Sequence, residues 1–356
     1  MRGETFRADN ETRTRDLNLG KVALYQLSYV RLHFSAVSPA SSASGTVVHA
    51  LHAAKIAPRP ACSGDVLTAA SPPPVTAVAP RVTLMRAWLN GDLLADPTQG
   101  AVAVTDHGFT VGDGVFEAIK TLHGQPFALT RHLARLERSA AGLGLPAPDL
   151  DDVRRGVAAV LEDAPRGRLR ITYSAGPHPM GSGRGGGPPT LVVAWSAIDA
   201  APDSTSVVTV PWTRNEHGAT AGLKTTSYAE NVIALAHAAE RGGSEAIFAN
   251  TAGHLCEGTG SNVFYVVDGE LRTPSLASGC LAGVTRALVV EWCGAREVDE
   301  PLGDVLARAS EVFLASTTRD VQAVARWDDR ALPAPGPVTE ACAETWRSRE
   351  AGTMDP

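Results

Sequence analysis

The chain has 356 residues, of which 44% are hydrophobic and 20% charged, and its formal net charge is -6 at pH 7. This composition is typical of a globular protein with one large domain or two smaller ones. The mildly acidic balance argues against a nucleic-acid or anionic-membrane surface, which needs clustered Lys and Arg, so we expect a small-molecule ligand.

The five cysteines are widely spaced, form no CxxC pair and have no neighbouring histidine at metal-ligand spacing. Their spacing predicts neither a disulfide framework nor a zinc site, so we expect no metal and a reducing, cytoplasmic location. No apolar run approaches the ~20 residues that span a bilayer, and the N-terminus lacks the apolar core of a signal peptide. We therefore expect no membrane partner.

Residues 1–84 differ in composition from the rest of the chain. The stretches SPASSASG, APRPACSG and SPPPVTAVAP are rich in small residues and proline and show no sustained hydrophobic period. Such composition predicts disorder. A functional tail is one explanation of this extension. An over-extended reading frame is the simpler hypothesis, because Met85 stands directly before the first patterned residues.

From Met85 to the C-terminus, strand-like and helix-like segments are mixed throughout. Runs rich in Val, Ile, Phe and Tyr predict strands at 169–174, 190–195, 206–210, 245–249, 263–267 and 311–315. Apolar spacings of three and four predict helices at 130–143, 151–162, 227–241, 284–294, 302–309 and 337–349. The polar stretch 196–205 predicts a linker between a small α/β domain, 85–195, and a larger domain, 206–356.

One lysine stands just before a predicted helix, in the stretch GLKTTSYAEN at 222–231. Ser227 and Glu230 have the spacing of a capping box, which predicts that the helix begins at Ser227. A helix N-terminus disfavours a nearby positive charge, so we expect a lowered pKa for Lys224 and nucleophilic character. On this segment alone, a solvated loop lysine is the commoner alternative.

A second segment, 256–286, places the carboxylate Glu257 ahead of a glycine-bounded loop that enters a helix. Val284 and Thr285 open that helix with free backbone N–H groups and a hydroxyl, which suits a phosphate dianion. Thr317 follows a predicted strand and could add a hydroxyl donor. Taken singly, each of these residues has an ordinary structural explanation as a helix cap or a turn.

Arg135 could supply a fixed positive charge for such an anion. It lies on the face of its predicted helix opposite Leu133 and Leu136, whose spacing indicates the buried side. A solvated helix arginine is the ordinary alternative. Arg135 alone therefore does not indicate an anion site, and it does so only together with the other segments.

Together these segments resemble the class IV, or fold-type IV, pyridoxal-phosphate enzymes. This family includes branched-chain and D-amino-acid aminotransferases and 4-amino-4-deoxychorismate lyase. The span 257–286 matches the family signature E-x-T-x-x-N-V-F, L-x-T and L-x-G-V-T-R. WLNG at 88–91, DHGFTVGDGVFE at 106–117 and HLARL at 132–136 are similar to the family's N-terminal domain. The resemblance covers nearly all of 85–356.

The resemblance implies a mixed α/β, two-domain fold like that of D-amino-acid aminotransferase, a bound pyridoxal 5'-phosphate, an amine substrate and a homodimer. Lys224 would bind the cofactor covalently and then move the proton as acid and base. Glu257 would keep the pyridine nitrogen protonated. The phosphate would be held by Arg135, Val284, Thr285 and Thr317. Some relatives have a tyrosine near the lysine, and the role of Tyr228 stays open.

The choice between lyase and transaminase depends on the segments that face the substrate. GDGVFEAIK at 112–120 resembles the lyase and D-amino-acid branches more than the VFEGIR of branched-chain enzymes. The loop SAGPHPMGSGRGGG at 174–187 lacks the Arg-x-His pair expected of a D-amino-acid carboxylate site. These segments favour the lyase, which releases pyruvate and 4-aminobenzoate in folate biosynthesis, over a branched-chain or D-amino-acid aminotransferase.

Two other protein classes fit parts of the sequence. The glycines at 181–187 invite a dinucleotide-binding reading, but Pro188, Pro189 and a strand follow where that motif needs a helix. A non-catalytic small-molecule-binding module also fits the composition, and it would tolerate loss of Lys224.

Overall fold

The computed structural model describes residues Leu84–Pro356. The expectations of a disordered extension and an over-extended reading frame fall on the segment before these residues and lie outside the described part. Within 84–356, no helix is long and apolar enough to cross a membrane.

The first sheet has six strands in the spatial order β2-β1-β6-β5-β3-β4, and every neighbouring pair is antiparallel. Its members are β1 (Met85–Leu89), β2 (Asp92–Leu93), β3 (Gly114–Leu122), β4 (Gln125–Pro126), β5 (Gly167–Ser174) and β6 (Thr190–Ala197). Apolar side chains of β3, β5 and β6 point to one face and form its core, for example Ile119, Ile171 and the fully buried Trp195. This alternation is what a half-buried strand requires.

The second sheet has nine strands, eight of them in the order β12-β11-β10-β13-β14-β7-β8-β9, with β15 paired to β14. Its members are β7 (Ser204–Arg214), β8 (Glu245–Asn250), β9 (Leu255–Gly258), β10 (Asn262–Val267), β11 (Glu270–Thr273), β12 (Arg296–Glu297), β13 (Glu311–Ser316), β14 (Asp320–Trp327) and β15 (Arg330–Ala331). The central β7 runs parallel to both β8 and β14. All six residues of β10 are buried, so this sheet is covered on both faces there.

Helices cover both sheets. They are α1 (His107–Thr110), α2 (Leu129–Gly142), α3 (Leu150–Leu161), α4 (Ala229–Glu240), α5 (Val284–Cys293), α6 (Leu302–Arg308) and α7 (Pro337–Gly352). Leu133 and Leu136 of α2 and Val153 of α3 enter the core of the first sheet. Helices α5 and α7 share a second core, in which Leu288 and Trp346 pack together with residues of β10 and β13.

The sequence-based elements are confirmed in kind, with bounds that differ by up to four residues. Two long strands, β3 and β14, were missed. The predicted start of α4 is wrong: the helix begins at Ala229, and its N-cap residue Tyr228 makes no side-chain capping bond. Ser227 Oγ instead donates to the carbonyl of Gly112 at 3.1 Å. Glu230 pairs with Arg214 at 2.8 Å, so the capping box does not form.

Candidate active site

A cavity of about 620 Å³ receives residues from both sheets. Its walls come from β3, β5, the end of β7, the segment before α4, β9, the start of α5 and the turn between β13 and β14. All six residues selected from the sequence line this one cavity: Arg135, Lys224, Glu257, Val284, Thr285 and Thr317. Residues that are far apart in the chain therefore meet at one place.

Backbone hydrogen bonds to the first sheet fix the position of Lys224. The N–H of Phe116 in β3 donates to the carbonyl of Lys224 at 3.0 Å, and the N–H of Thr226 donates to Gly114 at 2.8 Å. From α2, Ser139 Oγ accepts from the N–H of Lys224 at 3.2 Å. The lysine thus projects from a segment anchored like an additional strand, five residues ahead of α4.

The amino group of Lys224 is enclosed by aromatic rings. Its Nζ lies 4.4 Å from the ring centroid of Phe116 and 5.8 Å from that of Tyr228. Burial lowers the pKa of Lys224 to about 8, and the nearby charge of Arg135 acts in the same direction. The expected lowering is therefore confirmed, but its main cause is loss of hydration rather than the helix N-terminus.

Glu257 lies in β9 with both carboxylate oxygens near hydrogen-bond donors. Oε2 accepts from the N–H of Leu281 at 2.8 Å, and Oε1 lies 3.3 Å from Nε of Arg214. Burial raises the pKa of Glu257, and the charge of Arg214 acts against this rise. The cavity thus contains a carboxylate and a buried amine, the pair that the sequence motif predicted.

The start of α5 forms an open anion cradle. Its N-cap residue Gly283 contributes no side-chain bond, so the N–H groups of the first turn have no acceptor inside the helix. A Cβ at Gly283 would lie 2.1 Å from Oδ1 of Asn262, so only glycine fits beside this amide. Thr285 and Thr317 add hydroxyl groups to the same cavity. This set of donors fits a phosphate group.

Arg135 also lines the cavity, but its guanidinium is engaged by a carboxylate. Nε and Nη2 donate to the two oxygens of Glu117 at 2.9 and 2.6 Å, and Nη1 donates to the carbonyl of Ala282 at 3.1 Å. Burial would raise the pKa of Glu117, yet the charge and hydrogen bonds of Arg135 outweigh it and hold the pKa at about 2. Arg135 is therefore charge-balanced and ties α2 to the loop before α5.

Several residues of the cavity were missed from the sequence, namely Phe116, Arg168, Arg170, Arg214 and, as a site member, Tyr228. Arg168 and Arg170 alternate with buried Leu169 and Ile171 in β5, so both point to the cavity side of the sheet. The sequence did contain a sign of these two cavity residues, because arginines stand at alternate positions of an otherwise apolar strand.

The fold and the site together define an enzyme built from two sheets around a half-buried lysine, a carboxylate and an anion cradle. The sequence profile of the family described as Amino-transferase class IV matches residues 114–327. The chain belongs to this family.

Similarity to named proteins extends over nearly their whole lengths. The bifunctional aminodeoxychorismate lyase / D-amino acid transaminase of Mycobacterium tuberculosis is 31% identical over 72% of this chain and 95% of its own. A hypothetical aminotransferase from Mycobacterium tuberculosis, solved in a PLP-bound form, is 28% identical with a TM-score of 0.66, over 74% of this chain and 98% of that one. The branched-chain aminotransferase from Thermoproteus uzoniensis, solved with norvaline, is 28% identical with a TM-score of 0.68, over 75% and 95%.

These similarities confirm the resemblance drawn from the sequence and the mixed α/β, fold-type IV architecture. The relatives include transaminases of different specificity as well as a lyase, so they identify the chain as an enzyme of this family but not its substrate.

Proposed function

We propose that this protein is a pyridoxal-phosphate-dependent 4-amino-4-deoxychorismate lyase that releases pyruvate and 4-aminobenzoate in cytoplasmic folate biosynthesis. Membership of the family implies the cofactor. The choice of the lyase reaction is based on the residues that would face the substrate. The proposal rests on one observation above the others, which is that Arg168 and Arg170 line the same cavity as Lys224.

The cavity residues fit the cofactor. The N–H groups of Val284 and Thr285, with the hydroxyls of Thr285 and Thr317, would hold its phosphate, and Glu257 would face its ring nitrogen. Arg135 would contribute a hydrogen-bond donor to the phosphate site but no net positive charge, because Glu117 neutralises its guanidinium. When bound, pyridoxal phosphate supplies an electron sink for bond breaking at the carbon that bears the substrate amine.

Lys224 would hold and move the proton. With its pKa at about 8, the amine is present in both protonation states near neutral pH, as a general acid and base requires. In the lyase reaction, Lys224 removes a ring proton and the bond between the ring carbon and the enolpyruvyl oxygen breaks. The leaving group takes up a proton to become pyruvate, while the ring becomes aromatic.

The two arginines of β5 suit a substrate with two carboxylates. Neither Arg168 nor Arg170 makes a salt bridge to any carboxylate within residues 84–356. Arg170 stacks on Phe116 with Cζ 3.9 Å from the ring centroid, so it faces the same ring as Lys224. The deoxychorismate substrate has a ring carboxylate and an enolpyruvyl carboxylate, which these cations would bind.

The loop 175–187 supports the lyase over a D-amino-acid transaminase. Its arginine, Arg184, is engaged by Asp113 through two bonds of 2.6 and 2.5 Å. Its histidine, His178, contacts the carbonyl of Ala175 at 3.0 Å through Nε2 and accepts from the N–H of Gly185 at 2.9 Å through Nδ1. Both side chains therefore stabilise the conformation of the loop through bonds within the protein, rather than forming a site for a substrate carboxylate.

The test of the proposal separates the two reaction types. Purified protein with pyridoxal phosphate receives 4-amino-4-deoxychorismate, and pyruvate and 4-aminobenzoate are followed together. Equal, catalytic release of both products is expected. No release, together with conversion of the cofactor to its amine form by branched-chain or D-amino acids, would instead identify a transaminase. An absence of cofactor binding would leave a non-catalytic binding module.

We also propose a homodimer. Helix α4 exposes Val232, Ile233 and Leu235, and the adjacent end of β7 exposes Trp212. A row of large apolar side chains is typical of a surface that another chain covers. Light scattering is expected to give twice the mass of the 37.1 kDa chain, and a monomer at micromolar concentration would contradict this proposal.

A further inference from the structure

Arg214, the last residue of β7, connects three polar side chains at the wall of the cavity. Its Nη1 donates to Oε2 of Glu230 and its Nη2 to Oδ1 of Asn231, each at 2.8 Å. Its Nε lies 3.3 Å from Oε1 of Glu257. The guanidinium is therefore shared between the first turn of α4 and the carboxylate of β9.

The surroundings hold this guanidinium in place. Its Cζ lies 4.2 Å from the ring centroid of the buried Phe248, so the guanidinium packs against an aromatic ring. Asn231, one of its acceptors, donates in turn to the carbonyl of Thr259 at 3.0 Å. The buried Glu245 then accepts from the N–H of Thr259 at 2.9 Å. A continuous set of bonds therefore fixes Arg214 relative to the strand that bears Glu257.

Glu257 needs this neighbour for an electrostatic reason. Burial favours its neutral form, and the second buried carboxylate, Glu245, favours it as well. Arg214 is the largest influence in the opposite direction, followed by the N–H of Leu281 and the charge of Lys224. The other titratable groups that face Glu257 are Tyr228, Cys256 and Cys280, and burial raises the pKa of all three, so they stay neutral near pH 7.

We propose that Arg214 is a positioning residue that keeps Glu257 ionised and directed into the cavity, so that it can hold the proton on the ring nitrogen of pyridoxal phosphate. The inference rests on the proposed function, since it assigns Glu257 to that nitrogen. Arg214 belongs to no motif recognised in the sequence, and its effect on the cofactor passes through Glu257.

The pH dependence of cofactor binding tests the inference without relying on turnover. Equilibrium binding of pyridoxal phosphate is followed by tryptophan fluorescence from pH 5 to 9 for wild type and Arg214→Gln. Loss of the guanidinium lets Glu257 take up a proton at higher pH. The acid limb of the binding profile is therefore expected to move to higher pH by about one to two units. An equal loss of affinity at every pH, with the limb unmoved, would overturn the inference.

Matched variants separate the charge from the packing. Arg214→Lys keeps the charge and is expected to leave the acid limb near its wild-type position. Glu230→Gln removes a partner of Arg214 but leaves Glu257 and its cation intact, so it should not move the limb. In a Glu257→Gln background, Arg214→Gln should cause no further shift, because the effect passes through Glu257. A shift that persists in this background would contradict the inference.

Should Arg214→Gln not fold, Arg214→Met replaces it, because this variant also removes the charge beside Glu257 while an apolar stem still packs on Phe248. The same shift is expected, and no shift overturns the inference. If the wild type binds no pyridoxal phosphate, the proposed function fails. If the wild type binds it and the variants leave the profile unchanged, only the inference about Arg214 fails.

Discussion

At the residue scale, the buried amine of Lys224 makes the unliganded protein less stable at neutral pH. Burial depresses its pKa to about 8 from 10.5, so the native state bears the cost of a buried cation at any pH below about 8. That cost fades as the pH rises towards 10.5, because the folded lysine is then neutral while the unfolded one still takes up a proton.

Lys224→Met is therefore expected to abolish activity and yet raise the free energy of unfolding of the cofactor-free protein. The gain should be about 1–3 kcal/mol at pH 7 and smaller at pH 10, as measured by urea denaturation. Lys120→Met is the matched control: Lys120 is buried between Asp320 and Glu350, so its loss leaves their carboxylates without a cation and should destabilise. A gain at Lys224 that does not depend on pH would contradict this explanation.

Arg170 gives a second prediction at this scale. Loss of hydration lowers its pKa, and the nearby Arg168 acts in the same direction, so a bound carboxylate relieves an unfavourable pair of charges. Arg170→Met is expected to lower kcat/KM for 4-amino-4-deoxychorismate by roughly 10- to 100-fold, mainly through KM. Arg184→Met, outside the cavity and paired with Asp113, is the control and should change little. Equal effects of the two substitutions would argue against a carboxylate site at Arg170.

Some site residues could be identified from the sequence because each lies in a short, recognisable motif. Lys224 and Glu257 each stand in a compact signature. Arg214 could not be selected in this way, because its partners Glu230, Asn231 and Glu257 lie 16 to 43 positions away in the chain. Likewise, nothing local to Arg135 indicates that Glu117 neutralises it, since that bond joins a strand to a separate helix.

At the element scale, the first turn of α5 depends on close contact between two loops. Gly283→Ala would place a methyl group against Oδ1 of Asn262, whose amide also donates to the carbonyl of Leu281 at 2.9 Å. The start of α5 must then shift, and we expect at least about a tenfold loss of affinity for pyridoxal phosphate. Gly303→Ala, in α6 with nothing within 4 Å of its added Cβ, is the matched control. Unchanged affinity in Gly283→Ala would mean that this turn does not hold the phosphate.

The contact between β3 and α2 gives the second prediction at this scale. Glu117→Gln leaves the buried guanidinium of Arg135 without its counter-charge. It also replaces by an NH2 group one of the two oxygens that accept from Arg135 and contact Nδ1 of His132 at 2.7 Å. The free energy of unfolding should fall by about 3–5 kcal/mol, as measured by urea denaturation. Glu137→Gln, on the exposed face of the same helix, should change it by no more than about 0.5 kcal/mol. Similar values for the two variants would show that the buried pair is not stabilising.

The same buried charges explain why β3 escaped prediction. In GVFEAIKTL, Glu117 and Lys120 interrupt the apolar alternation that identifies a strand. In the structure both side chains are buried, at 0% and 1% exposure, because each meets an opposite charge from another element. The apolar strand β10 and the amphipathic helix α2 were predictable, whereas β3, which buried ion pairs stabilise, was not.

At the scale of the whole molecule, the described cavity is lined by the part of the chain that forms the two sheets. Every residue that lines the cavity lies between Phe116 and Arg319, and the family profile spans 114–327. The described fold begins with β1, whose first residue Met85 pairs with Ser196 of β6. The lining of the cavity, as far as residues 84–356 show it, thus lies well after β1 in the chain.

A protein that begins at Met85 is accordingly expected to keep the solubility of the full chain, its melting temperature within about 2 °C and its kcat/KM within about twofold. The measurements are a thermal melt and the coupled release of pyruvate and 4-aminobenzoate. A second truncation that begins at Asp92 is the control. It removes β1, which pairs with β6 and contributes the buried Trp88 to the core, and it should fail to fold. Loss of activity in the first truncation, with its melting temperature unchanged, would instead assign a function to the preceding segment.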